Sequence, residues 1–167
     1  LDASEAVEAL DALELLPAGP VRARLRAPAS KSVTNRALLC AALAEGTSVL
    51  RDPLDSDDSQ AMRAALAALG AGIETAGIET GTAAAGAAGA VPVWRVSGTG
   101  GKLAVPAAPL DARASGTTMR FLAAVATLAP PGAAVTVTGR PGLRARPIGP
   151  LVAALRALGA ALADQDG

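Results

Sequence analysis

The stretch Ala29-Ser30-Lys31-Ser32-Val33-Thr34-Asn35-Arg36-Ala37-Leu38 joins two different hydrophobic periods. Upstream, Val21-Arg22-Ala23-Arg24-Leu25-Arg26 alternates and reads as a strand. Downstream, Leu38, Leu39 and Leu43 give a helical spacing over residues 31–44, and Gly46 follows where helices commonly end in left-handed backbone. The pattern then returns. Ser32-Val33-Thr34-Asn35-Arg36-Ala37-Leu38 aligns with Gly116-Thr117-Thr118-Met119-Arg120-Phe121-Leu122 at an offset of 84. Residues 64–71 align with 153–160 at an offset of 89. Alanine-rich segments match by chance, so the Arg and Gly positions carry most of the weight. A unit of roughly 85 residues, ordered helix–strand–helix–strand and present almost twice, points to a repeated α/β architecture. Two such units can leave a helix face uncovered.

The rest of the chain fills this frame. Residues 1–16 read as an acidic helix or lead-in, and Pro17-Ala18-Gly19-Pro20 breaks it. Residues 47–50 read as a short strand. Asp55-Ser56-Asp57-Asp58 supplies N-cap candidates for a helix reaching Leu69 and closed by Gly70, with capping as the carboxylates' expected first task. Residues 81–90 are low in complexity and read as a surface loop. Residues 91–97 read as a strand and Gly98-Thr99-Gly100-Gly101 as a turn. Helices are expected over residues 116–128, with Phe121, Leu122 and Val125 as the apolar set, and from Pro147 to Leu158, with Gly159 closing the second. A strand is expected at 135–138.

Composition narrows the chemistry. The chain has 167 residues and is 51% hydrophobic, yet only 1% aromatic, so Leu and Val must supply most of the core. Lys plus Arg and Asp plus Glu are 15 each, a balance unlike that of a generic nucleic-acid binder. With no His and one Cys, triads, Cys–His pairs, His-ligated metals and disulfide frameworks are excluded. No metal site is expected. Neither a basic signal peptide nor a membrane span is found, and a cytoplasmic location is the expectation. Cys40 lies inside an apolar helical pattern and reads as a packing residue.

The net balance hides local clusters of base. Taken singly, most of these arginines read as solvated surface residues. Three sites stand out because they lie at helix starts, where free amides and the helix dipole favour an anion. At the first, Ser30, Ser32 and Lys31 supply donors and Arg36 follows Ser32 by one turn, able to grip phosphate or carboxylate through paired hydrogen bonds. A plain helix cap at Ser32 with a solvated Arg36 fits the same local pattern equally well. The spacing is not that of a Walker A loop. At the second, Ser115-Gly116-Thr117-Thr118-Met119-Arg120 repeats the device, and Gly116 permits close approach to the backbone. At the third, Arg140, Arg144 and Arg146 precede a helix start. Three cationic helix starts suit substrates with more than one anionic group. Among Asp55, Asp57 and Asp58, one could also orient Lys31.

Four motifs in order resemble the 5-enolpyruvylshikimate-3-phosphate synthase (3-phosphoshikimate 1-carboxyvinyltransferase) family. They are Pro28 to Leu38, Leu54-Asp55-Ser56-Asp57-Asp58, Ser115 to Leu122, and Arg144-Ala145-Arg146-Pro147-Ile148-Gly149. The resemblance implies an α/β fold of repeated βαβαββ units with helices packed behind a mixed sheet, an inside-out α/β barrel. Family members have two domains of three such units and are more than twice this long. Residues 1–20 would then be a lead-in, and residues 21–167 about two units of the first domain, an incomplete amino-terminal part. The remaining active-site residues would lie beyond Gly167.

The resemblance further implies transfer of the enolpyruvyl group of phosphoenolpyruvate to the 5-hydroxyl of shikimate 3-phosphate, by addition and elimination with release of phosphate. This step serves chorismate and aromatic amino-acid synthesis and uses no cofactor. Carried over by motif, Lys31 would be catalytic and contact both substrates. Ser32 and Arg36 would bind shikimate 3-phosphate, and Gly116 and Arg146 phosphoenolpyruvate. Thr117, Arg120 and Asp57 are further candidates. Glyphosate would compete at the second subsite, although Ala114 and Phe121 depart from the usual Asn and Pro there. The full-length protein would be a monomer, with neither nucleic acid nor membrane as partner. The sister UDP-N-acetylglucosamine enolpyruvyltransferase family fits less well, because Cys40 lacks its loop context. A non-catalytic anion-binding remnant of such an enzyme is the other reading.

Overall fold

The computed structural model describes residues 16, 19–20, 22–23, 27–82 and 88–164. The expected helix at 1–16 and most of the expected strand at 21–26 fall outside the described residues. The first described unit holds α1 (Lys31–Leu43), β1 (Thr47–Arg51), α2 (Asp57–Ala68), β2 (Gly72–Thr82) and β3 (Ala88–Ser97). The second holds β4 (Leu110–Asp111), α3 (Gly116–Ala126), β5 (Val137–Thr138), α4 (Pro141–Arg144) and α5 (Gly149–Ala157). The chain is thus mixed α/β, as expected. Antiparallel and parallel pairing both occur, in separate sheets: a three-stranded antiparallel sheet ordered β1-β3-β2, and a parallel pair β4-β5.

β3 is the spine of the first unit. Trp94 and Val96, two residues apart, share one strand face and are buried. Leu38 and Ala42 of α1, Met62 and Leu66 of α2, and Leu122 and Val125 of α3 complete the same core cluster. Leu38 and Leu122 occupy equivalent places in the repeated motif, and both enter this common core.

α1 ends on a device that local sequence does not reveal. The last four carbonyls of a helix lack intrahelical partners. Here Thr99 N–H and Oγ1 donate to Ala42 O at 2.8 and 3.1 Å, and Gly100 N–H donates to Ala44 O at 2.9 Å. The turn after β3 therefore closes the helix. Gly98 makes this approach feasible: a Cβ there would collide with the Ala44 carbonyl oxygen and lie 2.5 Å from that of Ala41.

Several expectations need correction. Residues 81–90 are not simply a loop: Gly81 and Thr82 pair with Gly89 and Ala88 in the β2–β3 ladder, and residues 83–87 lie outside the described set. Ladder hydrogen bonds to a valine-rich strand override the weak strand preference of Gly and Ala. A bulge between Thr75 and Ile78 shifts the β2 register near Gly77 (φ 77°). The strand expected at 135–138 shrinks to two residues, because its partner β4 follows Pro109 and ends before Arg113, whose φ of 50° turns the chain. The last helix starts at Gly149, with Pro150 rather than Pro147 in its first turn. The α2 cap is Ser56, not a carboxylate: Ser56 Oγ accepts from Ser59 N–H, and Ser59 Oγ accepts from Ser56 N–H, a reciprocal capping box. Cys40 is exposed rather than packed. It lines a groove of about 490 Å³ between α1 and β1, together with Val33, Ala37 and Val49. Val33 is 65% exposed there, so this face of α1 is apolar and uncovered.

Two glycine substitutions test the packing at the end of α1. Gly98→Ala is expected to lower the unfolding free energy by about 2–3 kcal/mol, since backbone carbonyls cannot yield to the new methyl group. Gly149→Ala, where a Cβ meets nothing within 4 Å, is expected to stay within about 0.5 kcal/mol of the parent. Urea unfolding followed by Trp94 fluorescence measures both.

Candidate functional site

Three helix starts converge, and a serine caps each, the α1 cap being Ser30 rather than Ser32. Ser30 caps α1 by accepting from Val33 N–H at 3.4 Å, and Ser115 caps α3 by accepting from Thr118 N–H at 3.2 Å. Since Ser56 caps α2, the carboxylates of its first turn are free for other partners. Asp58 Oδ2 receives Lys31 Nζ at 3.2 Å and the Ser115 hydroxyl at 2.9 Å. One oxygen thereby links the first turns of α1 and α2 and the cap of α3. Ser115 Oγ also accepts from Thr118 Oγ1 at 2.8 Å. Ser115 and Thr118 are both buried, whereas the Lys31 side chain is 53% exposed.

The arginines repeat one geometry. Arg36 Nη1 donates to Ser32 O at 3.0 Å, and Arg120 Nη1 donates to Gly116 O at 3.2 Å, each one turn back along its helix. Relative to the caps, the second copy sits one residue earlier. Arg36 also lies over the Phe121 ring, 5.6 Å from its centroid, so the first repeat's arginine rests on the second repeat's helix. Arg120 Nη2 donates to Pro147 O at 3.2 Å and ties α3 to the segment after α4.

Gly116 is the close-approach point. A Cβ on it would meet Arg120 Nη1 at 3.0 Å and Arg146 Nη1 at 3.4 Å. Two guanidinium groups therefore flank a bare backbone at the start of α3, a setting suited to a phosphate or carboxylate. Leu143 is buried against this helix start and helps hold the 140–147 segment near it.

The structure brings Gly116, Arg120 and Arg146 together, and joins Lys31 to their neighbour Ser115. Ser32 is exposed on the first turn of α1, and Thr117 is half-buried on the first turn of α3. Asp57 faces elsewhere: its Oδ1 pairs with Arg113 Nη1 at 2.7 Å, and the same nitrogen donates to Gln60 Oε1 at 3.3 Å. Sequence reasoning singled out the acidic cluster but not which member meets Lys31. The motif at the second helix start gives Ser115 no partner on another helix. The signal available was the serine at the cap, a hydroxyl that both accepts and donates. Among the described residues no group of three or more His, Cys, Asp or Glu is placed to hold a metal, and no helix is long and apolar enough to cross a membrane.

A family model described as EPSP synthase (3-phosphoshikimate 1-carboxyvinyltransferase) matches residues 16–167. The chain is 45% identical over 139 residues to 3-phosphoshikimate 1-carboxyvinyltransferase of Halobacterium salinarum, covering 83% of this chain and 29% of that one. It is 44% identical over 151 residues to the protein of the same name from Ralstonia nicotianae, covering 89% of this chain and 31% of that one. Among solved structures, EPSP synthase from Acinetobacter baumannii is similar with a TM-score of 0.63 at 29% identity, over 80% of this chain and 27% of that one. The chain spans about three tenths of the length of the curated relatives it matches.

Gly116→Ala probes the site without breaking the fold. The atoms its methyl would meet first are ends of flexible arginines, and alanine favours a helix over glycine. Stability is expected to change by less than about 1 kcal/mol. A crystal structure of the variant should show the Arg120 guanidinium displaced from Gly116 O.

Proposed function

The chain belongs to the EPSP synthase family, and from that membership we propose that it supplies one side of an active site for enolpyruvyl transfer. The reaction adds the 5-hydroxyl of shikimate 3-phosphate to C2 of phosphoenolpyruvate while C3 takes a proton. Loss of that proton and of phosphate then restores the double bond. Both substrates are anions, so this side must supply fixed positive charge and donors.

The carrying observation is the junction at Ser115 and Gly116. Arg120 and Arg146 flank Gly116, and the adjacent Ser115 shares Asp58 with Lys31. In this reading Gly116 and Arg146, with Arg120 and Thr117 beside them, receive phosphoenolpyruvate. Ser32 and Arg36 receive shikimate 3-phosphate. Lys31, in the same reading, serves both. Asp57 holds Arg113 and acts at one remove. Residues 21–167 form part of the first domain, with residues 1–20 leading in. The same reading carries a cytoplasmic location, a monomeric full-length enzyme and glyphosate as a competitor of phosphoenolpyruvate.

Calorimetric titration tests the proposal. The chain is expected to bind shikimate 3-phosphate and phosphoenolpyruvate weakly. Lys31→Met is expected to weaken both, and Arg146→Met phosphoenolpyruvate alone, each by roughly 10- to 100-fold, the range for losing a charged hydrogen-bond partner. Phosphate release is expected only after the separately produced carboxy-terminal part of a family enzyme is added. No binding of either substrate at millimolar concentration would sink the reading. Binding without release on mixing would favour the non-catalytic anion-binding remnant.

A further inference from the structure

We propose that Ser115 is a positioning residue: its hydroxyl, acting through the Asp58 carboxylate, fixes the ammonium of Lys31 at the start of α1. The proposal rests on the reading of Lys31 as a substrate-binding cation. Its geometry stands apart from that reading.

An exposed lysine–carboxylate pair ordinarily contributes little, because two flexible side chains must be ordered for a screened attraction. Here the carboxylate is ordered beforehand. Asp58 sits in the first turn of α2, where the helix dipole favours a negative charge. Its Oδ2 takes the proton of the Ser115 hydroxyl at 2.9 Å. Ser115 is itself fixed by two donors, Thr118 N–H at 3.2 Å and Thr118 Oγ1 at 2.8 Å. Ser115 is 2% exposed and Thr118 0%, so water does not compete for these bonds. Only Lys31 remains to be ordered, and it binds the oxygen that Ser115 holds, at 3.2 Å.

This arrangement differs from capping alone. A cap needs Ser115 only as an acceptor, and its donor proton is spent on a different helix. The start of the second repeat thereby sets the position of the cation on the first. Ser115, which acts on Lys31 through Asp58, is also the neighbour of Gly116, so the two proposed subsites meet at adjacent backbone positions.

Labelling of lysine amines by trinitrobenzenesulfonate, read by peptide mass spectrometry, tests this on the intact chain without any substrate. Lys102, the other lysine, is exposed and serves as the internal reference. Glycine replaces serine at an N-cap at little cost, so Ser115→Gly removes the hydroxyl while α3 is expected to persist. Ser115→Gly and Asp58→Asn are each expected to speed Lys31 labelling roughly two- to five-fold against Lys102. The double variant is expected to label no faster than Asp58→Asn alone, and Ser115→Thr to keep the parent rate. A parent-like rate in Ser115→Gly, or additive effects in the double variant, would overturn the proposal. Either result leaves the substrate titrations untouched, and failed titrations leave the relay standing.

Discussion

The Asp58 carboxylate is the point on which the site depends. Three helices bring their amino-terminal ends to one place, and each end carries a partial positive charge from unpaired amides. Lys31, Arg120 and Arg146 add full charges nearby. Without an acid among them, this concentration of like charge would resist assembly. Asp58 meets Lys31 and the Ser115 hydroxyl through one oxygen, which stitches α1, α2 and α3 together where repulsion is greatest. It is free to do so because Ser56 and Ser59 cap α2 reciprocally. The excess positive charge that remains lies around Gly116, where the backbone is bare.

The two repeats use one motif for two purposes. Leu38 and Leu122 enter the common core, and Arg36 and Arg120 each fold back onto a carbonyl one turn earlier. The surroundings then diverge. Arg36 rests on Phe121, whereas Arg120 reaches Pro147 and shares Gly116 with Arg146. The first unit is built around a full antiparallel sheet, and the second around a two-residue parallel pair and a short helix. A shared helix start thus has an exposed setting in one unit and a bare backbone between two guanidinium groups in the other.

At the far end of α1 the same helix is clamped by the turn after β3. Thr99 and Gly100 satisfy carbonyls that would otherwise be unpaired, and Gly98 lets the chains come close enough. The clamp fixes α1 on the sheet and so fixes where Lys31 and Arg36 begin. Along its outer face, Val33 and Cys40 are exposed and Ala37 is half-buried.

Most helix starts and ends are legible in the sequence because their signals are local, the start of α5 and the short α4 being exceptions. Serines before α1 and α3, the 3.6-residue spacing of Leu38 with Leu39 and Leu43, and Gly70 and Gly159 in left-handed backbone all act within a few residues. The four ordered motifs carried the family by resemblance, and the matching family model agrees with them. The sequence alone could name an acidic cluster at 55–58, but not that Asp58 takes Lys31 while Asp57 takes Arg113. Nor could it extend the hairpin into residues 81–82 and 88–90, or show that Gly98 lies against the end of α1. The ion pairs and the Gly98 contact join groups tens of residues apart, where packing of helices on the sheet chooses the partner, and the hairpin extension depends on pairing between two strands rather than on the preference of either. Capping chemistry and hydrophobic period are properties of neighbouring residues. Which carboxylate meets which cation is a property of the assembled fold.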